Sequence, residues 1–507
     1  LLDSAKLEKF ITDQELKDSA AERMRNFYNS RNYHFAWFTQ DGLAEQARGF
    51  WNLHNNYINY TNDSSLIDKK LHEQMEIFIN EDTLINLIHH DITETELQLT
   101  KHFFKYARYA YAGKINPKDL QWHIPRKKLN VVVLLDSLVA NKGRNIAEWE
   151  PVNQLYRLLS NELVRFYEIE KAGGWKNINP NLNKKYKKGD SAVVIKEVKQ
   201  RLLVAGDYKE PDTSYHYLKN FMPAVKQAQK RFGLKQNGII DASLLKELNV
   251  PVADRIEQLL INMERMRWMP KQPAGDRIVA NIPEFKLHVY QGAKEIFVID
   301  IVVGKAANKT VIFNDNLKYV VFSPYWNVPA SIVRNEILPA MQGDGNYLDR
   351  MNMEQTGTSN GLPVIRQKPG GSNALGKVKF IFPNRYNIYF HDTPAKPLFS
   401  REKRAFSHGC IRVANPKKLA EYLLRNQPEW TSVKIAEAMN ASEEKWVTLK
   451  EQIPIFITYF TAWVDHDGLL NFRDDIYGRD KKLAERLFEN PIQKEELRNT
   501  TLSKQKL

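Results

Sequence analysis

The sequence predicts a multi-domain α+β protein in which a helical scaffold and a small three-helix unit precede a mainly β domain with a lid insertion. Three observations carry that reading. The chain has 507 residues, a soft prior for roughly three or four domains, each large enough to bury its own core. Apolar residues recur at helical spacing up to about residue 170, and alternate in short runs beyond about residue 272. Between them, Gly173-Gly174 and an Asn-, Pro- and Lys-rich stretch to Lys188 read as a linker.

Residues 1–170 form the scaffold, a helical pattern with interspersed charge and aromatics such as Phe103, Phe104, Tyr106, Tyr109 and Tyr111. Its His89-His90-Asp91 cluster carries metal-ligating groups, but adjacent histidines point to different sides of a helix, so a solvated face is expected. A compact unit spans 185–250. Asp190 is placed to cap a helix with Val194, Val198 and Leu202 on one stripe, and Gly206 to end it. A second helix carries Val225, Ala228 and Phe232 and stops at Gly233. Asn237-Gly238 then makes a tight turn, and Asp241 caps a third helix bearing Leu244, Leu245 and Leu248.

A helix from Asp254 to Met269 leads into the β-rich domain, 272–440. Arg277–Ile282, Lys286–Tyr290, Ile296–Val303 and Lys318–Phe322 read as strands, with a turn at Gln291-Gly292. A segment at about 331–378 begins helically, is then punctuated by glycines, and reads as a lid. Phe380–Phe382 and Tyr386–Phe390 read as a hairpin whose second strand runs into His391, and 441–507 as a C-terminal helical extension.

Composition narrows the function. With 43% hydrophobic residues, most of the chain is not disordered. The single cysteine, Cys410, excludes an internal disulfide and any Cys-rich zinc module. A net charge of +14 favours anionic partners, but its densest cluster, Lys184, Lys185, Lys187 and Lys188, comes with no nucleic-acid motif, so no nucleic acid is expected. The apolar stretches Val131–Leu135 and Ile453–Val464 fall short of the roughly 20 residues that span a bilayer. No signal-peptide pattern opens the sequence, so a targeting segment is expected to be absent from this chain.

The chemistry gathers around the lone cysteine. Phe390-His391-Asp392-Thr393-Pro394 precedes Ser407-His408-Gly409-Cys410-Ile411-Arg412 by a short loop. A neutral thiol is a poor nucleophile, so a cysteine enzyme needs an imidazole within hydrogen-bond reach. His408, two residues from Cys410, and His391, at the end of a neighbouring strand, compete for that role. The amides of Gly409 and Cys410 could face a developing oxyanion, and Arg412 could bind a substrate carboxylate. The alternatives are a packed core thiol, or a zinc site made by His391, His408 and Cys410, which lacks a separate acidic base. Asp465 and Asp467 lack the ligand spacing of a calcium loop and read as an exposed turn.

Two resemblances sharpen this. Lys188-Gly189-Asp190, Val198-Lys199-Gln200-Arg201-Leu202, Gly206-Asp207-Tyr208, Phe232-Gly233-Leu234 and Asn237-Gly238-Ile239-Ile240-Asp241 together resemble the helical peptidoglycan-binding domain attached to many wall enzymes. His391, fifteen residues at 392–406, and then Ser407-His408-Gly409-Cys410-Ile411-Arg412 resemble the signature of the YkuD-type L,D-transpeptidases. Asn262-Met263-Glu264-Arg265, Tyr325-Trp326-Asn327-Val328-Pro329, Asn373-Ala374-Leu375-Gly376 and Arg404-Ala405-Phe406 are similar to the large, multi-domain YcbB-like branch.

That resemblance implies Cys410 as nucleophile and His391 as general base and then acid. It implies His408, Gly409, Arg412 and Ser407 as shapers of the oxyanion hole and pocket. Asp392 would orient His391 through its main chain or not at all. Tyr325, Trp326 and Asn327 would lie near the site, although an aromatic at a strand end is more often packing. It further implies transpeptidation of peptidoglycan stem peptides with release of D-Ala, and no cofactor or metal. The expected setting is the periplasm or cell envelope of a Gram-negative bacterium, as a monomer that could meet other wall-synthesis proteins. A cysteine hydrolase and a non-catalytic wall-binding protein are the competing readings.

Overall fold

Amphipathic helices build the first part of the chain in the computed structural model, which describes residues 1–488 apart from 62, 81–91, 180–183, 213 and 271–272. The His89-His90-Asp91 cluster lies outside the described residues. The scaffold packs around the helix Ile92–Ala112, whose Leu97, Leu99, Phe103 and Ala107 are fully buried. One small hairpin, β1 (Phe38–Thr39) and β2 (Gly42–Leu43), interrupts the helices. Glu96 draws that irregular entry inward. It accepts from the amides of Ala36 at 2.6 Å and Trp37 at 2.9 Å and from the Tyr28 hydroxyl at 3.0 Å, so a buried carboxyl is satisfied.

The three-helix unit comprises Val193–Ala205, Met222–Arg231 and Ala242–Leu248. Asp241 accepts from Leu244 N at 3.1 Å, and Gly206 ends the first helix at φ 78°. Asp190 is not the cap of that helix. The helix starts at Val193, and Asp190 accepts instead from Lys187 N at 2.9 Å, tying off the preceding turn. The later start makes Ile195, with Val198 and Leu202, the buried stripe, leaving Val194 only partly covered.

The helix Val252–Trp268 joins the parts. It is buried on nearly all sides from Leu259 onward, which a helix between domains can sustain only if its polar groups are paired. Glu264 accepts from Ile115 N at 2.8 Å and pairs with Arg267 at 2.9 Å, facing the scaffold. Asn262 bonds Thr461, and Arg265 pairs with Asp480 at 2.6 Å, facing the C-terminal segment.

Strands then take over: β3 (Asp276–Asn281), β4 (Lys286–Gln291), β5 (Lys294–Gly304), β6 (Phe313–Phe322), β7 (Trp326–Asn327), β8 (Met353–Ser359), β9 (Leu362–Gln367), β10 (Val378–Ile381), β11 (Phe390–His391), β12 (Ala405–Ser407), β13 (Ile411–Val413) and β14 (Lys445–Thr458). The main sheet runs β12-β5-β13-β11-β10-β6-β14-β3-β4, and pairing of β4 with β5 joins its ends, so eight strands close on themselves with β12 outside. β7, β9 and β8 form a separate sheet.

Three expectations need correction. Residues 441–507 are not a helical extension. β14 lies inside the main sheet, antiparallel to β6 and parallel to β3, so the β domain runs past residue 440. A hairpin of β15 (Ala462–Val464) and β16 (Leu470–Phe472) follows, and among the described residues only Arg479–Leu487 is helical. The cause is visible in the chain: Val447 and Leu449 alternate with polar residues, and Ile453–Ile457 must be apolar on both faces to cross the sheet. Secondly, the 331–378 segment, read as a lid whose glycine-punctuated part follows a helical start, has its own core of Ile332, Val333, Ile337, Met353 and Ile365, and that part is largely strand, β8 and β9. Thirdly, the hairpin after β10 keeps only Phe390–His391 as its second strand. Asn384 holds the turn instead, donating to the Phe382 and Ile388 carbonyls and accepting from the Tyr386 and Ile388 amides.

Candidate active site

Register places the chemistry. β11 pairs with β13 in parallel, with Phe390 opposite Ile411 and His391 opposite Arg412. Phe390 and Ile411 are fully buried on the core face. Alternation then turns His391 and Arg412 to the other face, together with the residues two positions earlier, Tyr389 and Cys410. Tyr389 and His391 stand with ring centroids 5.7 Å apart, and the Tyr389 carbonyl accepts from Ile411 N at 3.2 Å.

His391 is buried, and its Nδ1 donates to the Asp392 carbonyl at 2.5 Å. A carbonyl can only accept, so Nδ1 carries the proton and Nε2 keeps a free lone pair. Burial, and then the charge of Arg412, holds the imidazole down to about 3. The Asp392 carboxylate serves the backbone. It accepts from Lys377 N at 2.9 Å and Thr393 N at 2.7 Å and pairs with Lys396 at 2.5 Å. A Cβ at Gly376, φ +62°, would lie 2.5 Å from that carboxylate carbon, so the glycine lets the segment close over it.

Cys410 is partly exposed, and its Sγ faces the Asn387 carbonyl at 3.5 Å. Burial pushes its thiol up, against the opposing pull of Tyr389 and Arg412. Burial thus acts on the two groups in opposite senses, raising the thiol and lowering the imidazole. Ser407 is buried and staples the loop: its hydroxyl donates to the Cys410 carbonyl at 2.6 Å and accepts from Gly409 N at 3.1 Å. The Gly409 amide, expected to face an oxyanion, is thus bonded to Ser407, whereas the Cys410 amide bonds no described residue. Gly409 itself sits at φ +122°, which only glycine adopts without strain. Arg412 makes no ion pair with a described residue, and its buried Nε lacks a partner.

Other expected residues are dispersed. His408 turns to the lid, with Nε2 3.0 Å from Glu336. Trp326 and Asn327 form β7 at the base of the lid sheet, where Trp326 packs against the lid core. Tyr325 takes Arg366 over its ring at 4.2 Å, and its amide bonds Glu444 at 2.9 Å. Asp465 accepts from Asp467 N and Leu469 N in the β15–β16 turn, and Lys230 pairs with Asp467 at 2.7 Å. Among the described residues no cluster of three or more His, Cys, Asp or Glu could hold a metal.

Sequence reasoning missed four participants. Tyr389 was visible as the position two before His391. Thr310 is buried and its hydroxyl donates to the Gly409 carbonyl at 2.8 Å while accepting from Gly304 N at 2.9 Å. The Tyr477 hydroxyl accepts from Thr310 N at 3.3 Å and donates to the Gly304 carbonyl. Neither these two nor Glu336 has any local signal, because each reaches the site across a long stretch of chain.

His391 ends β11 and Cys410 comes just before β13, so the thiol and the imidazole lie at neighbouring strand ends, with His408 reaching Glu336 of the separately packed 331–378 segment. Residues 275–435 match the family model described as YkuD, the L,D-transpeptidase catalytic domain, and residues 22–163 match a scaffold domain. The chain thus carries a YkuD-type L,D-transpeptidase catalytic domain preceded by a scaffold domain. It is 31% identical over 242 residues to a curated Haemophilus influenzae protein provisionally named an L,D-transpeptidase; the match takes in 45% of this chain and 49% of that protein, so the chain spans about half the relative's length. Among solved structures it is similar to an L,D-transpeptidase from Stackebrandtia nassauensis, 16% identical with 54% of this chain and 94% of that one covered at a TM-score of 0.22. It is also similar to an L,D-transpeptidase from Xylanimonas cellulosilytica, 12% identical with 55% and 100% covered at a TM-score of 0.18. Both structural likenesses are too distant to bear on the site.

Proposed function

We propose that this chain is an L,D-transpeptidase of peptidoglycan that works through a Cys410 thioester. The observation that supports the reading is the parallel register of β11 and β13, which pairs His391 with Arg412, two residues after Cys410. As substrate arrives, His391 Nε2 takes the thiol proton, and Cys410 Sγ attacks the carbonyl of the third residue, meso-diaminopimelate, of a tetrapeptide stem. The oxyanion receives the Cys410 amide. Imidazolium His391 then protonates the departing D-Ala amine, leaving a thioester. The side-chain amine of a second stem, deprotonated by His391, attacks the thioester carbonyl, expels the thiolate and joins two third residues. Arg412 supplies a cation for a stem carboxylate. The lid keeps out water, which would otherwise hydrolyse the thioester. The three-helix unit serves as a wall-binding module, and the enzyme acts in the cell envelope; no described helix is long and apolar enough to cross a membrane.

The test is incubation with disaccharide-tetrapeptide, followed by mass spectrometry. The expected product is a crosslinked dimer lacking one D-Ala, lost in Cys410→Ala. A dimer from Cys410→Ala, or only hydrolysed tripeptide from the native chain, contradicts the proposal. Treatment with a carbapenem should leave a covalent adduct on Cys410.

A further inference from the structure

The scaffold gathers cations around two adjoining cavities, and the nearest carboxylates, Glu22 for Arg23, Glu150 for Lys127 and Glu264 for Arg126, are not among the residues that line them. Arg23 on the helix Asp18–Ser30, Arg108 on Ile92–Ala112, and Arg126 and Lys127 beyond it line a cavity of about 210 Å³ with an apolar floor that includes Phe104 and Val131. An adjoining cavity of about 190 Å³ shares Arg23, Phe104 and Arg108 and adds Lys101 and Lys105. Among the described residues no Asp or Glu lines either one. Neutral oxygens hold four of the cations in place: Arg126 donates to the Ala112 and Gly113 carbonyls, Lys127 to the Pro151 carbonyl, Lys101 to Gln14 Oε1 and Lys105 to the Ser65 carbonyl. Arg23 has a buried Nε with no partner, and burial and then Arg108 lower its pKa. Like charges crowded in this way repel, and a bound anion relieves that cost.

The spacing says what kind of anion. Lys101, Lys105 and Arg108 follow one helix at intervals of four and three residues, roughly 6 and 4.5 Å along its axis. Carboxylates two residues apart on an extended peptide are separated by about 7 Å, and guanidinium forks bind carboxylates in bidentate fashion. The apolar floor suits the aliphatic parts of such a peptide. We propose that the scaffold holds a second binding site, remote in sequence from Cys410, for a short peptide bearing two or more carboxylates, anchored by Arg108 and Arg23 with Lys101 and Lys105 beside them. Wall stem peptides are the source of that ligand, an assignment that rests on the function proposed above.

The experiment uses the full chain with Cys410 alkylated by iodoacetamide, so that the catalytic pocket is blocked, and dye-labelled tetrapeptide followed by fluorescence anisotropy. Binding should persist after alkylation, weaken with salt, and fall at least tenfold in Arg23→Ala/Arg108→Ala. Arg23→Lys/Arg108→Lys, which keeps the charge but loses the bidentate fork, should bind between the native and the double alanine chains, and an unchanged thermal midpoint excludes misfolding. Equal affinity in the double alanine variant overturns the site. So does binding of anionic phospholipid vesicles through these arginines without any peptide binding. If the peptide binds as expected but the native chain makes no crosslinked dimer, the transpeptidase reading falls and this site stands.

Discussion

At Cys410 and His391, burial has two opposite effects that both favour the proton on sulfur. It raises the thiol and lowers the imidazole. Alkylation of the free protein by iodoacetamide should therefore be slow at neutral pH and rise with an inflection above that of a free thiol, about 8.5. An inflection below about 7 would mean a resting thiolate–imidazolium pair. Gly409→Ala forces a side chain into φ +122°, a strain of roughly 1–3 kcal/mol, and should lower kcat about tenfold or more. Normal kcat would show that the loop is not fixed there. The sequence set Cys410 and His391 within twenty positions of one another, just before one short strand and at the end of another. The use of the Gly409 amide by Ser407 was not legible in it, since it depends on a φ angle that no residue pattern encodes.

Among the elements, the C-terminal segment supports the Ser407–Cys410 loop. Tyr477 follows β16, beyond the matched catalytic domain, and fixes Thr310, which in turn fixes the Gly409 carbonyl. The peptide whose N–H is the proposed oxyanion donor is thus set from a distance. Thr310→Val should lower kcat about tenfold, near 1.4 kcal/mol, with KM little changed, while Thr310→Ser restores most of it. A rise in KM at constant kcat would assign Thr310 to substrate binding instead. β14 was misread because a strand is defined by neighbours: alternation over Val447–Leu449 is short, and the partner strands β6 and β3 lie far back in sequence. The helical periods of the scaffold and the strands β3 to β5 were legible because their patterns are long and local.

Across the molecule, buried ion pairs tie the parts together and make stability depend on pH. His288 bonds Glu284 at 3.0 Å and Glu295 at 2.8 Å; burial opposes its charge, but Glu284 and Glu295 raise it to about 9. A histidine raised above its unfolded value of about 6.5 stabilises fully below that pH and loses its contribution as pH climbs through about 9. The unfolding free energy should fall across that window, by an amount of order 3 kcal/mol, and His288→Gln should flatten the fall. No change in slope would remove the ion triad from the stability account. Glu264→Gln strands the buried Arg267 between scaffold and catalytic domain and should cost about 3–5 kcal/mol, seen as a lower midpoint in calorimetry. Loss of under about 1 kcal/mol would mean that water or another group repairs the pair.

The most direct measurement is intact-protein mass spectrometry within seconds of adding disaccharide-tetrapeptide without an amine acceptor. The mechanism predicts a mass increase equal to the substrate less D-Ala, located on Cys410 by peptide mapping, and strongly reduced in His391→Ala. An adduct on another residue, an adduct that persists in Cys410→Ala, or full acylation without His391 would contradict it.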